Sequence, residues 1–276
     1  MLFNSSDIAV WENALSHYHE ALERHVANRK DDSLLDLDEW YQITLPGLLS
    51  SREPKYINSE ELCRLMSWKL KASFFPFLFL NRGKFRPKLA ALAASNTDID
   101  VKRTSQEAFT LVPSNLKAAI TKMAELKGVG PATASAILCA GAPDSVPFMA
   151  DETMDSVPGL GTIAYTIPYY LKFATKVIEK ADELKGKGSK SVNSPHLVEK
   201  ALWTDYMIDK YGIERESATP KTSASTNASA KRKVDEPAKK GGSSKNQSET
   251  RKKAKTTTAA KEPTPAKSTR SARSRS

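Results

Sequence analysis

The sequence predicts an all-α fold, and three observations carry that prediction. Apolar residues recur at spacings of three and four over 8–26, 114–126 and 166–184, the period of one buried helix face. Residues suited to opening a helix stand before these runs: Ser6 or Asp7, Ser114, and Thr166 with Pro168 in the turn that follows. The third observation is a change of composition. Residues 217–276 hold no aromatic side chain and are rich in Ser, Thr, Ala, Lys and Pro, too little apolar surface to order a segment. The expected organisation is a helical domain over 5–212 and a disordered basic tail over 213–276.

The 276-residue chain carries 42 Lys+Arg against 32 Asp+Glu, a net charge of +10. Residues 217–276 contain 16 of the basic and 4 of the acidic residues, a net of +12. The excess positive charge therefore belongs to the tail. Affinity for phosphate comes mainly from clustered cations, so the domain itself is expected to meet nucleic acid only through a local basic patch. Lys231-Arg232-Lys233 and Arg251-Lys252-Lys253-Ala254-Lys255 are spaced like a two-part nuclear import signal, and they suit a non-specific nucleic-acid tail equally. Both uses imply a nuclear protein, with the import machinery as a partner of the tail.

Cys63 and Cys139 are the only cysteines, each within an apolar helical pattern, and read as reduced core residues. His17, His19, His25 and His196 show no ligand spacing with them, so no metal site is expected. The first residues lack a basic region followed by an apolar run, which is not the pattern of a secretory signal. No apolar run approaches the ~20 residues needed to span a membrane, and a soluble, intracellular protein is expected.

In order along the chain, 6–28 reads as one continuous helix burying Ile8, Trp11, Leu15, Tyr18, Leu22 and Val26. His17, His19 and His25 are expected to face solvent or bond locally. Residues 34–50 form an apolar cluster broken at Pro46-Gly47, with Trp40 and Tyr41 in the core. Residues 59–71 read as a helix capped by Ser59. Leu62 rather than Glu follows three residues later, so no capping box is expected. Residues 72–81 hold four phenylalanines around Pro76 with neither helical nor alternating polarity. The flanks join smoothly without them, which reads as an insertion; a buried apolar loop is the other reading. Arg82, Lys84, Arg86 and Lys88 then surround Phe85 in the densest basic cluster of the domain, a candidate contact to a DNA backbone or a solvated surface. Helices follow over 87–95 and 101–112, separated by Asn96-Thr97-Asp98, and the last helix covers about 195–211.

The stretch 114–141 reads as two helices joined by a very short turn, Lys127-Gly128-Val129-Gly130. Gly128 can end the first helix in the left-handed conformation. Pro131 can open the second, where its missing N–H is no loss. Such a turn exposes backbone N–H groups at a helix N-terminus, a ready anion site that carries no sequence information. A plain pair of packed helices is the alternative.

At Leu126-Lys127-Gly128-Val129-Gly130 through Thr133-Ala134 the chain resembles the helix-hairpin-helix DNA glycosylases of the endonuclease III-like superfamily, over about 40 residues. The wider pattern Trp68-Lys69-Leu70, Arg82 to Pro87 and Gly128 to Ser135 is more similar to an unassigned eukaryotic branch. The resemblance implies an all-α, helix-hairpin-helix DNA glycosylase-like domain. In it Lys127, Gly128, Val129, Gly130 and Thr133 would grip a DNA phosphate, and Asp151, 21 residues after Gly130, would stand at the base pocket. Members that also cleave the sugar carry a lysine in the second helix; Ala132 occupies that place here, so a lyase reaction by that route is not expected. No iron–sulfur cluster is expected, because two cysteines cannot supply four ligands. Two functions follow: a monofunctional DNA glycosylase of base excision repair, in which Asp151 stabilises positive charge on the sugar or activates water, or a non-catalytic nuclear, chromatin-associated module that keeps only the grip on DNA. Whether Asp151 faces a pocket lined by aromatics separates them.

Overall fold

The computed structural model describes residues 1–72 and 86–215, with side chains from Lys88 onward in the second stretch. Among the described residues all regular structure is helical. A 3₁₀ turn at Leu2–Asn4 precedes α1 (Ile8–Ser16), α2 (Tyr18–Arg29) and α3 (Ser33–Glu39); a π-helical segment, Trp40–Thr44, leads directly into α4 (Leu45–Ser50). There follow α5 (Ser59–Ala72), α6 (Arg86–Ala94), α7 (Asp98–Thr110), α8 (Leu116–Met123), α9 (Pro131–Gly141), α10 (Asp151–Ser156), α11 (Ile167–Gly186) and α12 (Pro195–Tyr211). Residues 73–85, and with them most of the expected insertion and Arg82 and Lys84, lie outside the described residues, as does the tail from 216.

Helix α9 is the centre of the fold. Every residue from Ala132 to Gly141 is buried, and α4, α5, α7, α8 and α11 all pack on it. Its run of Ala, Ser, Thr and Gly lets those neighbours approach closely on every side. Tyr41 from the π-segment donates its hydroxyl to the carbonyl of Ala136 at 3.0 Å, tying the N-terminal helices to this centre.

Several local expectations are corrected. The single helix over 6–28 is divided at His17, whose Nδ1 lies 2.8 Å from the carbonyl of Asn13. His25 does not face solvent: it is fully buried, with Nδ1 3.0 Å from the Tyr211 hydroxyl. Pro46-Gly47 does not break the second cluster, because Pro46 sits in the first turn of α4, where its missing N–H is tolerated. Asn115, not Ser114, caps α8. The capping box judged absent from α5 exists one residue earlier. Asn58 Oδ1 accepts from the Glu61 amide at 2.8 Å, and Glu61 Oε2 accepts from the Asn58 amide at 2.9 Å. Arg52 holds the same carboxylate through two bonds of 2.8 and 2.7 Å. The caps at Asp7 and Thr166 form as their sequence positions suggest, and Ser194 caps α12.

Candidate functional site

The turn between α8 and α9 is fixed by backbone chemistry. Gly128 has φ +77°, and a Cβ there would stand 2.7 Å from the carbonyl oxygen of Leu89 and 2.8 Å from the amide of Ala93. The close approach that glycine permits at 128 is therefore made by α6, not left open to a ligand. Asn96, just past α6, clamps the same turn: its Nδ2 donates to the carbonyl of Lys127 and its Oδ1 accepts from the Lys127 amide, both at 2.9 Å. Val129 is buried and anchors the turn. Gly130 is exposed, and nothing lies within 4 Å of where its Cβ would be. Its carbonyl accepts from Thr133 and Ala134, while the amides of Gly130 and Ala132 donate to no acceptor among the described residues. Lys127 and Lys88 are exposed, Lys88 being next to the residue whose carbonyl meets Gly128. Of Arg86 only the backbone is described, at the start of α6.

A cavity of about 280 Å³ opens beside this turn. Gly128, Gly130, Pro131, Ala132 and Thr133 form one wall and Asp151 stands in another. The segment leading to Asp151 is held against α9: the Met149 amide donates to Ser135 Oγ at 3.0 Å, and the Tyr170 hydroxyl donates to the carbonyl of Pro147 at 3.1 Å. Asp151 is the first residue of α10, not its cap; that place belongs to Ala150. Its carboxylate accepts a short hydrogen bond from the Tyr165 hydroxyl.

The opposite wall is aromatic. Tyr41 and Trp68 stack with ring centroids 3.6 Å apart and planes 14° from parallel, and Phe148 is tilted against Trp68 at 5.3 Å. Tyr18 and Trp203 extend the aromatic lining, with centroids 5.4 Å apart. Such faces bind flat, electron-rich or cationic ligands by offset stacking.

Below the rings runs a connected polar network. Trp68 Nε1 donates to Asp38 at 3.0 Å, and the Tyr18 hydroxyl donates to the other Asp38 oxygen at 2.8 Å. Gln42 Nε2 donates to the Tyr18 hydroxyl at 3.1 Å, which leaves Gln42 Oε1 facing His196 Nε2 at 2.9 Å. The directions assign the Nε2 proton to His196. Its Nδ1 lies 3.3 Å from Cys139 Sγ and 3.4 Å from Glu199. Burial lowers the imidazole pKa, but Cys139 and Glu199 outweigh it and the net shift is upward. Burial, against the opposing pull of His196, pushes the Glu199 carboxyl up. Burial first, and then Asp38, raises the Tyr18 phenol well above its ordinary value. These groups are linked in the low-dielectric interior, where a satisfied network fixes side-chain positions. Among the described residues no group of three or more His, Cys, Asp or Glu is placed to hold a metal ion.

The structure thus gathers Gly128, Gly130, Thr133 and Asp151 around one cavity, with Lys127 on its rim-forming turn and Val129 beneath. Sequence reasoning missed Asp38, Gln42, Phe148, Tyr165, His196, Glu199 and Lys200. Trp68 was visible only as part of a pattern. Their spacing along the chain carries no signal, since they come from separate helices.

No protein-family model, curated protein or solved structure matches the chain. Its class is therefore defined by the fold alone: among the described residues, an all-helical protein with an aromatic-lined cavity beside two helices joined by a short turn. Among the described residues no helix is long and apolar enough to cross a membrane.

Proposed function

We propose that the helical domain binds DNA and receives a base turned out of the duplex, as a relative of the monofunctional DNA glycosylases of base excision repair. The observation that carries this reading is the shared cavity: the turn at Gly128–Gly130, Asp151 and the Tyr41–Trp68–Phe148 wall all line it. The free amides of Gly130 and Ala132 would take a backbone phosphate at the N-terminus of α9. Lys127 and Lys88, both exposed, would add the local positive charge. The extruded base would stack on Trp68 and Phe148, away from water. Asp151 would then stabilise positive charge developing at C1′ of the sugar, or activate water there. The volume, just under the ~300 Å³ at which drug-sized sites begin, suits a single planar heterocycle. Ala132 in place of a hairpin lysine supports the monofunctional form of the reaction.

The non-catalytic reading has an observation of its own, the Tyr165 hydroxyl bound to the Asp151 carboxylate. A DNA-binding module would keep that carboxylate as a fixed structural acceptor. Incubation with duplexes carrying single damaged or mismatched bases, followed by alkaline cleavage at abasic sites, separates the two. Strand breaks at one class of base support the glycosylase; intact strands across a broad panel, with DNA binding retained, support the module. The net +12 of residues 217–276 supports a nuclear protein on this reading, and a reporter fused to those residues that stays outside the nucleus would remove the import signal from the tail.

A further inference from the structure

The cavity holds a cation that the reading above leaves idle. Lys200, on α12, lines it, and its Nζ lies 3.7 Å from the centroid of the Tyr18 ring, another lining residue. Among the described residues no carboxylate pairs with Nζ and no acceptor takes a hydrogen bond from it. The carboxylates of the same cavity are placed differently. The two Asp38 oxygens accept from Trp68 and Tyr18, Asp151 accepts from Tyr165, and Glu199 faces His196 and Thr153. Gln42 is engaged at both ends, by Tyr18 and His196. These lining acceptors therefore have protein donors, while the ammonium of Lys200 carries three donors with no acceptor. Burial lowers the Lys200 pKa, and the fields of Asp38 and Glu199 oppose this in favour of the charged form.

We propose that Lys200 determines which ring the cavity accepts, selecting a planar heterocycle that turns an exocyclic carbonyl oxygen toward it over one that turns an amino group. The proposal rests on the reading that the cavity takes a base, and it narrows that reading to a class of base. Trp68 and Phe148 supply the flat apolar faces against which a heterocycle stacks. The exocyclic oxygen is an acceptor, and a hydrogen bond from a charged donor is stronger than one between neutral groups. Away from water that difference grows. An exocyclic amino group in the same place sets donor against donor and leaves both short of an acceptor. A polar site rejects a ligand of the right shape and the wrong hydrogen bonding in this way. A cationic ring is disfavoured as well, because the Tyr18 face that would attract it already holds an ammonium. Hypoxanthine and adenine differ at this substituent, and so do uracil and cytosine.

The ring can arrive as a base turned out of DNA or as a free heterocycle, and the test has an arm for each. The full-length protein is titrated with two duplexes alike except for one base, hypoxanthine or adenine. That base stands opposite a tetrahydrofuran residue, so that neither has a pairing partner to lose. The protein is also titrated with free hypoxanthine and free adenine, followed by the quenching of tryptophan fluorescence. The expected result is tighter binding of the hypoxanthine duplex by about tenfold or more, a preference abolished in Lys200→Met, which keeps an apolar stem without the charge. Lys200→Gln, whose amide both donates and accepts, should lose it too and serves where the Met variant does not fold. Discrimination between the free rings alone also supports the role of Lys200, and assigns the ligand to a small molecule. Equal affinity for the two members in both arms overturns the proposal. So does a preference for adenine, binding of no ligand, or a hypoxanthine preference that the folded variants retain. Duplex affinity shared equally by both bases leaves the DNA reading standing and removes this one; discrimination between free rings with no affinity for DNA does the reverse. The two proposals therefore fail separately.

Discussion

The two walls of the cavity are built in different ways. The turn wall comes from residues 127–133, close in sequence and shaped by backbone: a positive φ at Gly128, Asn96 clamping Lys127, and α6 pressed against the glycine. The opposite wall joins Tyr18, Asp38, Gln42, Trp68 and His196 from separate helices through side-chain hydrogen bonds. One wall is local and rigid because few torsions are free; the other is non-local and rigid because each polar group constrains the next. The first suits a repeating ligand feature such as phosphate, and the second can discriminate between rings.

The largest expected effect lies between the walls. If Asp151 stabilises charge at the sugar, Asp151→Asn should lower base excision by about 10²-fold or more while leaving the melting temperature nearly unchanged. Excision rates that survive the substitution would return Asp151 to a structural role. On the aromatic wall, Trp68→Ala removes a buried ring stacked on Tyr41 and the indole donor to Asp38. A loss of about 3–5 kcal/mol in urea unfolding is expected, and a loss under 1 kcal/mol would show that the stack does not organise this side.

The non-local side also has a pH signature next to it. Burial, with Arg29 and Lys210 nearby, lowers the His25 pKa from its ordinary value to about 4. The folded state therefore keeps His25 neutral while the unfolded chain protonates near 6.5, so the contribution of this group to stability is complete above that pH and falls as pH drops toward 4. The loss across this window should reach about 3 kcal/mol. The carboxylates held low by their partners, Asp31, Asp98, Glu107 and Glu183, act below it. Unfolding measured at several pH values should show a slope between pH 6.5 and 4 that His25→Leu flattens; an unchanged slope would assign it to other groups.

The smallest expected effect contrasts the two glycines of the turn. Gly128→Ala places a Cβ against the backbone of α6 at a positive φ, and should cost more than about 1 kcal/mol. Gly130→Ala meets open space and should stay within about 0.5 kcal/mol. Equal losses would mean that α6 does not bear on the turn.

What the sequence disclosed follows the same division. Helical period and caps made α8, α9, α11 and α12 legible, and Gly128 and Pro131 marked the turn between the first two. Asp151 was singled out only through the resemblance, and nothing in its spacing from Gly130 disclosed that both line one cavity. The break at His17, the π-segment that carries Tyr41 and Gln42 into the cavity, and the capping box at Asn58 and Glu61 were not legible. Each is settled by tertiary contacts that override local pattern: the apolar period continues across His17, and Glu61 is claimed by Arg52 as well as by the cap. His25 looked like a surface residue because its partner, Tyr211, lies at the far end of the domain sequence. Lys200 was unremarked for the same reason.

The most direct test asks whether the two walls serve one nucleotide. Affinity of the full-length protein is measured for a duplex with one mismatched base pair and for the same duplex fully paired. Turning out a paired base costs a few kcal/mol that a mismatch largely spares, so a cavity that takes a base should favour the mismatch by about tenfold or more. Phe148→Ala should reduce that preference, while Gly130→Asp should weaken binding to both duplexes alike. Equal affinity of the wild-type protein for the two duplexes would contradict the account, leaving a backbone grip beside an unrelated cavity.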